Sequence, residues 1–283
     1  MKKALKIVVL AKQVPDTRNV GKDAMTPEGT VNRAALPAIF NPEDLNALEM
    51  ALALKDETEG STVHILTMGP PRAADIIRDA MFRGADGGYL LTDRKFAGAD
   101  TLATSYALSC ALRKIRPDVI VAGRQAIDGD TAQVGPQVTY AEELLEIKAD
   151  SLVVKRRLEH GTEIVECPLP LVMTVNGSAP ECRPQNAKRV MKYKFAQTKS
   201  EIAAAPDCMA SAMASAKAYL QIVELAAADV DPDETQLGLV GSPTKVKKIE
   251  NVVFQAKESK RLTAADADIE SLMVELIASH TLG

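Results

Sequence analysis

Short apolar runs alternate with longer amphipathic segments through the first half of the sequence, and this alternation constrains the fold most. Each apolar run ends in a small or polar residue, and the four runs are KIVVLAK (6–12), TVHILTMG (62–69), GGYLLTD (87–93) and PDVIVAG (117–123). Near-continuous apolarity is typical of strands buried on both faces of a parallel sheet. The segments 41–57, 71–85 and 99–115 carry apolar residues at helical spacing, and Asn41-Pro42-Glu43 predicts a capping Asn41 followed by proline at the first helical position. The pattern predicts a doubly wound, mostly parallel α/β sheet.

The second half of the sequence departs from this alternation. Segment 131–147, TAQVGPQVTYAEELLEI, is predicted to be one more helix, and 151–177 is predicted to form two strands around a hairpin turn at Gly161. From about residue 179 the chain is rich in Pro, Lys and Arg, which is typical of an exposed loop running into a short helix. Beyond residue 200 it is alanine-rich and broken by Pro and Gly, and it ends in an amphipathic helix. We therefore predict an α/β domain, 1–200, and an extended C-terminal arm, 201–283, which packs either on this domain or on a partner subunit.

Composition excludes several classes of function. With 46% hydrophobic and 25% charged residues, the chain has the composition of a soluble globular protein, and its net charge of −4 gives no electrostatic footprint for nucleic acid. Its apolar runs are too short to span a membrane. The start, MKKALKIVVLAK, imitates a signal peptide but reads better as a first strand ended by Lys12, so a cytoplasmic location is expected. The four cysteines form no CxxC pair and the three histidines are scattered, which argues against a metal site.

The stretch GRQAIDGDTAQVGPQ (123–137) follows the last of the four apolar runs. In a doubly wound sheet, ligands bind beyond the carboxyl ends of the strands, where helices begin with free N–H groups. About seven residues, from Gly123 to Gly129, precede a capping Asp130-Thr131, whereas strand-to-helix connections need about two to six residues. Asp128 and Asp130 can accept hydrogen bonds from ribose hydroxyls or cap the next helix, and the N–H groups of 131–134 can bind a phosphate. The loop is therefore predicted to bind a nucleotide.

Motifs for a catalytic side-chain set are absent from the sequence. There is no GxxxxGK phosphate loop, no GxGxxG after the first strand, and no local signature of a Ser–His–Asp or Cys–His arrangement. His64 lies inside an apolar strand, which favours a core role. Any redox chemistry would therefore have to be carried by a cofactor.

Several motifs occur together in an order that resembles the β subunits of electron transfer flavoproteins. Besides GRQAIDGDTAQVGPQ, they are AKQVPDT, NPEDLNALEMALALK, TMGP, MFRGADGGYLLTD, PLPLVMTV and RPQNAKRVMKYK. The resemblance implies a nucleotide-binding fold of the adenine nucleotide α-hydrolase type. It also implies a heterodimer with an α subunit, whose FAD exchanges electrons with flavoprotein dehydrogenases.

The same loop separates two types of β subunit. The simple type, which holds a structural AMP, typically reads QAIDDD followed by Asn-Gln-Thr-Gly. This sequence has Gly129, Ala132, Val134 and Pro136 at the differing positions, and it resembles the electron-bifurcating type. Replacing an acid by Gly129 removes a charge and a side chain near the phosphates, which would help to admit a diphosphate and its flavin. FAD is therefore the favoured cofactor and AMP the alternative, with NADH as hydride donor and ferredoxin or flavodoxin as the implied acceptor.

The resemblance also assigns site residues by position. The implied nucleotide contacts are Ala11, Asn41, Asp44, Met68, Gly123, Arg124, Gln125, Ala126, Ile127, Asp128, Gly129, Asp130, Thr131, Ala132, Gln133 and Val134. Loop 179–195 matches the segment that recognises partner dehydrogenases, and the residues assigned to recognition are Arg183, Ala187, Lys188, Arg189 and Met191. Within this loop the sequence departs from the usual family pattern at 183–187, which leaves the identity of the dehydrogenase open.

Overall fold

The computed structural model describes residues 3–16, 37–129, 131–134, 138–205, 217–244 and 262–278. The chain divides into two compact units, Met1–Lys247 and Lys248–Gly283. The second unit contains one described helix, Asp266–Ala278. All its side chains are at least partly exposed to solvent among the described residues. The sheet and both hydrophobic cores belong to the first unit.

The strands of the first unit are β1 (Lys6–Leu10), β2 (Gln13–Pro15), β3 (Ala38–Phe40), β4 (Thr62–Met68), β5 (Gly87–Leu91), β6 (Val119–Gly123), β7 (Val138–Ile147), β8 (Ser151–Leu158), β9 (Gly161–Pro168), β10 (Leu171–Val175), β11 (Gln197–Thr198) and β12 (Gln221–Leu225). The α-helices are α1 (Pro42–Glu57), α2 (Ala74–Arg83), α3 (Thr101–Ile115), α4 (Ala187–Tyr193), α5 (Lys199–Ala204) and α6 (Ala227–Val230), and the helix of the second unit is α7 (Asp266–Ala278).

Ten of these strands form one sheet in the order β11-β12-β5-β4-β1-β6-β10-β7-β8-β9. Neighbours pair in parallel from β11 to β7, and β7, β8 and β9 pair antiparallel. Strand β1 lies between β4 and β6, so the chain builds the sheet outward on both sides of β1. The doubly wound, mostly parallel α/β fold predicted from the sequence is confirmed.

Two hydrophobic cores cover the two faces of the sheet. Ile7 and Val9 point into the core that contains α1 and α2, whereas Val8 between them points into the core that contains α3 and α6. All three side chains are fully buried, as a central parallel strand requires. The four strands predicted from continuous apolarity correspond to β1, β4, β5 and β6, and the three amphipathic segments to α1, the Pro71–Arg83 region and α3.

The helix predicted for 131–147 is wrong. Residues 131–134 are not helical, and Val138–Ile147 is the strand β7, paired with β10 on one side and β8 on the other. The Ala, Glu and Leu content of this segment favours a helix locally, but pairing with two neighbouring strands and burial of Ala141 decide the outcome. No helix therefore begins at 131–134 to supply the phosphate-binding N–H groups expected there. The hairpin around Gly161 is confirmed, as the turn between β8 and β9.

The predicted C-terminal arm differs in part from the structure. Its 217–244 stretch contributes β12 to the main sheet, where it pairs with β5 and β11, and α6 to the second core. This pairing was not predicted, because β12 contains only five residues and follows a long stretch without hydrophobic periodicity. Packing of the remaining arm on a partner subunit stays a prediction.

Candidate functional site

The candidate site lies at the carboxyl ends of β1 and β6, where chain order reverses across the sheet. Such a switch point leaves a crevice outside the strand ends, and ligands of doubly wound proteins bind there. Here the crevice is bordered by the first turn of α1 and by the loop that follows β6. The side chains of α1's first turn hold this loop through a set of hydrogen bonds.

Asp44 ties the two strand ends to α1. Its Oδ2 accepts a hydrogen bond from the backbone N–H of Lys12 (2.8 Å), and its Oδ1 accepts one from the N–H of Gly123 (3.1 Å). The side chain is buried, and burial raises the pKa of Asp44 to about 7, whereas the N–H donors of Lys12 and Gly123 act in the opposite direction. Asp44 thus lies at the predicted site with both oxygens bound to the protein's own backbone.

Asn41 is also in the predicted place but acts differently from the prediction. Helix α1 begins with Pro42 at its first position, as the sequence indicates, yet the Asn41 side chain makes no capping bond. Its Nδ2 donates instead to the carbonyl oxygen of Gln125 (2.9 Å), and its Oδ1 accepts from the N–H of Ile127 (3.1 Å). Asn41 therefore binds the backbone of the loop at two points, two residues apart.

Glu43 is a site residue that sequence reasoning missed. It accepts hydrogen bonds from the N–H of Gln125 (2.9 Å) and from the guanidinium of Arg124 (Nη2, 3.1 Å). The Arg124 guanidinium also lies 5.7 Å from the ring centroid of Tyr140. The only local signal was an acid in the first turn of a helix. The helix dipole alone favours an acid there, so this signal did not indicate a contact with the loop.

Lys12 holds the far part of the loop. Its Nζ lies 2.7 Å and 2.9 Å from the two carboxylate oxygens of Asp128. Asp128, predicted to accept from ribose hydroxyls or to cap the next helix, forms an ion pair with Lys12 in the structure, and its contact with a nucleotide stays a prediction. Lys12, which follows Ala11 after the end of β1, was not among the predicted contacts.

The two glycines of the loop have opposite surroundings. A Cβ at Gly123 would lie 2.3 Å from Oδ1 of Asp44 and 2.7 Å from the carbonyl carbon of Glu43, so the close approach of β6 to α1 requires glycine. A Cβ at Gly129 would meet no atom of the described residues within 4 Å. Gly123 therefore serves the fold, and Gly129 leaves open space at the candidate site.

The second part of the loop, residues 131–134, contacts α3 and the second core. The Thr101 hydroxyl donates to Oε1 of Gln133 (2.9 Å), Val134 packs against the second core, and Ala132 has a left-handed backbone (φ 51°). The loop therefore crosses the strand ends from the α1 side of the sheet to the α3 side. Thr131 is exposed and Ala126 is partly exposed, whereas Asp130 lies outside the described residues.

The remaining predicted contacts lie at the ends of the neighbouring strands. Ala11 follows β1 and donates its N–H to the carbonyl oxygen of Leu66 (3.1 Å), and Met68 ends β4. Beside Met68, the buried hydroxyl of Thr67 has no hydrogen-bond partner among the described residues. A buried polar group of this kind is a candidate for hydrogen bonding to a ligand.

The residues predicted for partner recognition separate into two sets. Arg183 is engaged within the chain: its guanidinium binds Glu49 (2.8 Å) and Asp56 (2.8 Å) on α1. The other four predicted residues lie on α4, which Asn186 caps with its side chain. Met191 is 65% exposed there. Arg183 thus anchors the loop to α1, and α4 presents the surface.

The fold and the loop together define a doubly wound α/β protein with a polar site at its switch point. The family model of the electron transfer flavoprotein domain matches residues 28–227, and the chain belongs to the electron transfer flavoprotein family. The resemblance seen in the sequence is confirmed. Members of this family are flavoproteins that transfer electrons, so electron transfer is the class of activity.

Several curated relatives are β subunits. The electron transfer flavoprotein subunit beta of Clostridium acetobutylicum is 42% identical over 253 residues, covering 86% of this chain and 87% of the relative. That of Megasphaera elsdenii is 37% identical over 296 residues, covering 96% of this chain and all of the relative. The caffeyl-CoA reductase-Etf complex subunit CarD of Acetobacterium woodii is 48% identical over 180 residues, covering 60% of this chain and 68% of the relative.

Among the described helices, none is both long and apolar enough to cross a membrane. The cytoplasmic location expected from the sequence stays a prediction.

Proposed function

We propose that this chain is the β subunit of an electron-bifurcating electron transfer flavoprotein and that it holds an FAD of its own across the strand ends. The observation that carries the proposal is the open space at Gly129 within a loop that spans the crevice between α1 and α3. An acid at this position would project a negative charge into that space. Gly129 leaves room for a second phosphate and the flavin beyond it.

The residues present fit a dinucleotide. Ala11, Met68 and the described loop residues 123–129 and 131–134 lie at the strand ends that border the crevice, and next to Met68 the Thr67 hydroxyl is a buried polar group without a hydrogen-bond partner among the described residues. Asn41 and Asp44 act on the site through the loop they hold. Lys12 is half exposed and pairs with Asp128, so it can serve a diphosphate as well as that carboxylate.

The proposed activity belongs to the complex rather than to side chains of this chain. When bound, the FAD would accept a hydride from NADH and send its two electrons along separate paths, one through the FAD of an α subunit to a dehydrogenase and one to ferredoxin or flavodoxin. Two relatives support this assignment, since they are named as subunits of a caffeyl-CoA reductase complex and of acryloyl-CoA reductase. The protein itself would supply position and electrostatics.

We further infer that α4 and the two residues after its end form the surface for the partner dehydrogenase. No acidic residue stands between Glu181 and Glu201. The exposed side chains of Met191 (65%) and Phe195 (62%) lie among cations, and we define this basic–apolar surface as Lys188, Arg189, Met191, Lys192, Lys194 and Phe195. An apolar anchor inside a ring of positive charge fits a partner with an apolar pocket and an acidic rim.

The test is an anaerobic NADH titration of the heterodimer, followed by flavin absorbance, for the native protein and for two variants of one residue. Gly129→Asp restores the acid and is expected to abolish NADH-dependent bleaching while the α-subunit flavin stays bound. Gly129→Ala adds a methyl group without charge and is expected to keep the bleaching rate within about threefold of the native rate. A threefold change in rate corresponds to a difference of about 0.6 kcal/mol in activation free energy between the variant and the native protein. No bleaching of the native heterodimer by NADH would contradict the proposal.

A further inference from the structure

Six hydrogen bonds connect three side chains at the start of α1 with the end of β6 and the loop after it. Asn41 binds Gln125 and Ile127, Glu43 binds Arg124 twice and Gln125 once, and Asp44 binds Gly123. Four of these six bonds reach backbone groups. The sequence positions of donor and acceptor are about 80 residues apart.

Helix α1 is a rigid support for these three side chains. Ala47, Leu48, Ala51 and Leu52 are buried in the core beneath the sheet's α1 face. A helix fixed by such packing holds its first turn in one place, because well-packed cores respond to displacement with a large loss of contact energy. The loop therefore takes its conformation from a part of the fold that does not depend on a ligand.

The three side chains have little surface left for a ligand. Asn41 is fully buried and Asp44 is 6% exposed, and both oxygens of Asp44 accept backbone N–H bonds. The Glu43 carboxylate binds both Arg124 and the N–H of Gln125. Their polar atoms are directed at the chain itself, so their influence on a nucleotide is exerted through the loop.

We propose that Asn41, Glu43 and Asp44 are positioning residues: they fix the backbone of 123–127 in the conformation that receives the nucleotide, without contacting the nucleotide themselves. This inference rests on the proposed function, because it concerns the same site. It replaces the contact role expected for Asn41 and Asp44, and it adds Glu43, which no sequence signal assigned.

Glu43 offers the sharpest test, because its two interactions can be removed separately. Glu43→Gln keeps an amide oxygen for the N–H of Gln125 and loses the ion pair with Arg124, whereas Glu43→Ala loses both. Asn41→Asp keeps the acceptor for the N–H of Ile127 but sets a carboxylate against the carbonyl oxygen of Gln125. The matched control is Glu59→Ala, which removes an exposed carboxylate in the turn that follows α1.

The experiment measures the dissociation constant of FAD for the β-subunit site in the intact heterodimer, by fluorescence after depletion and re-addition of FAD. The expected order is native and Glu59→Ala tightest, Glu43→Gln weaker, and Glu43→Ala weaker by about tenfold or more, which corresponds to about 1.4 kcal/mol. Partial rescue by glutamine separates positioning from a general loss of structure. The urea midpoint of each variant is measured alongside, because a purely structural role would lower that midpoint and leave the dissociation constant unchanged.

Two results would overturn the inference in distinguishable ways. If the native heterodimer binds FAD at this site and Glu43→Ala binds it equally tightly, the positioning role is wrong and the proposed function stands. If the native site binds no FAD, the proposed function fails, and the inference fails with it.

Discussion

Replacing Gly123 by alanine is expected to damage both the fold and the site. The new Cβ would lie 2.3 Å from Oδ1 of Asp44, 2.7 Å from the carbonyl carbon of Glu43 and 2.8 Å from the nitrogen of Asp44. Two of these atoms belong to the backbone of α1 and cannot rotate away, so the end of β6 must move from the helix. Overpacking of this kind costs about 1–3 kcal/mol.

The displacement also breaks the hydrogen bond from the N–H of Gly123 to Asp44. Leaving a buried acceptor without its donor costs about 1–3 kcal/mol. The two contributions together predict a loss of about 2–6 kcal/mol in the free energy of unfolding, taken as the sum of the overpacking and hydrogen-bond costs.

The assay is urea unfolding of the purified heterodimer, with Gly129→Ala as the control in the same loop. A Cβ at Gly129 meets no atom within 4 Å in the described part of the chain, so the control is expected to change the unfolding free energy by less than about 0.5 kcal/mol. If Gly123→Ala is no less stable than Gly129→Ala, then β6 does not approach α1 as closely as described, and Asp44 does not tie the end of β6 to α1.

Three further predictions concern Asp44, Arg183 and Met191. Because the raised pKa of Asp44 lets the native state keep a proton that the unfolded state has lost, stability decreases as pH rises from the ordinary value of 3.8 towards about 7. The native protein should therefore lose about 2 kcal/mol relative to Asp44→Asn between about pH 5 and about pH 7, and an unchanged difference in urea melts would contradict this. Arg183→Ala removes the partner of Glu49 and Asp56 on α1. It should lower the free energy of unfolding by about 1–2 kcal/mol, after allowance for partial exposure, and speed proteolysis of 180–186. The control Lys188→Ala, at an exposed residue, should do neither. Met191→Ala should leave the unfolding free energy within about 0.5 kcal/mol and weaken dehydrogenase turnover, and equal turnover would exclude α4 as the docking surface.

The central sheet could be predicted from the sequence because its signal is local. In β1 and β6, consecutive apolar residues are buried on both faces, so the pattern itself carries the information. In β7 the sequence AEELLEI favours a helix, and only pairing with β8 and β10, both outside the segment itself, makes it a strand. Local composition cannot encode such pairing.

In the candidate site, as in the sheet, local features could be predicted from the sequence and long-range contacts could not. Loop 123–137 was found because its length and composition are unusual where it stands in the chain. Asn41 was placed correctly at the start of α1, but its partners were taken to be the nearest N–H groups of the helix rather than Gln125 and Ile127. Glu43 was missed because its contacts with Arg124 and Gln125 form only when the sheet brings the two segments together.

The most direct measurement for the central claim is the nucleotide content of the heterodimer. The complex is purified with its α subunit, the nucleotides are released with acid, and FAD and AMP are quantified against protein. We expect FAD in both subunits and no AMP. FAD in the α subunit alone, with AMP released from this chain, would contradict it, and the loop after β6 would then hold a structural nucleotide.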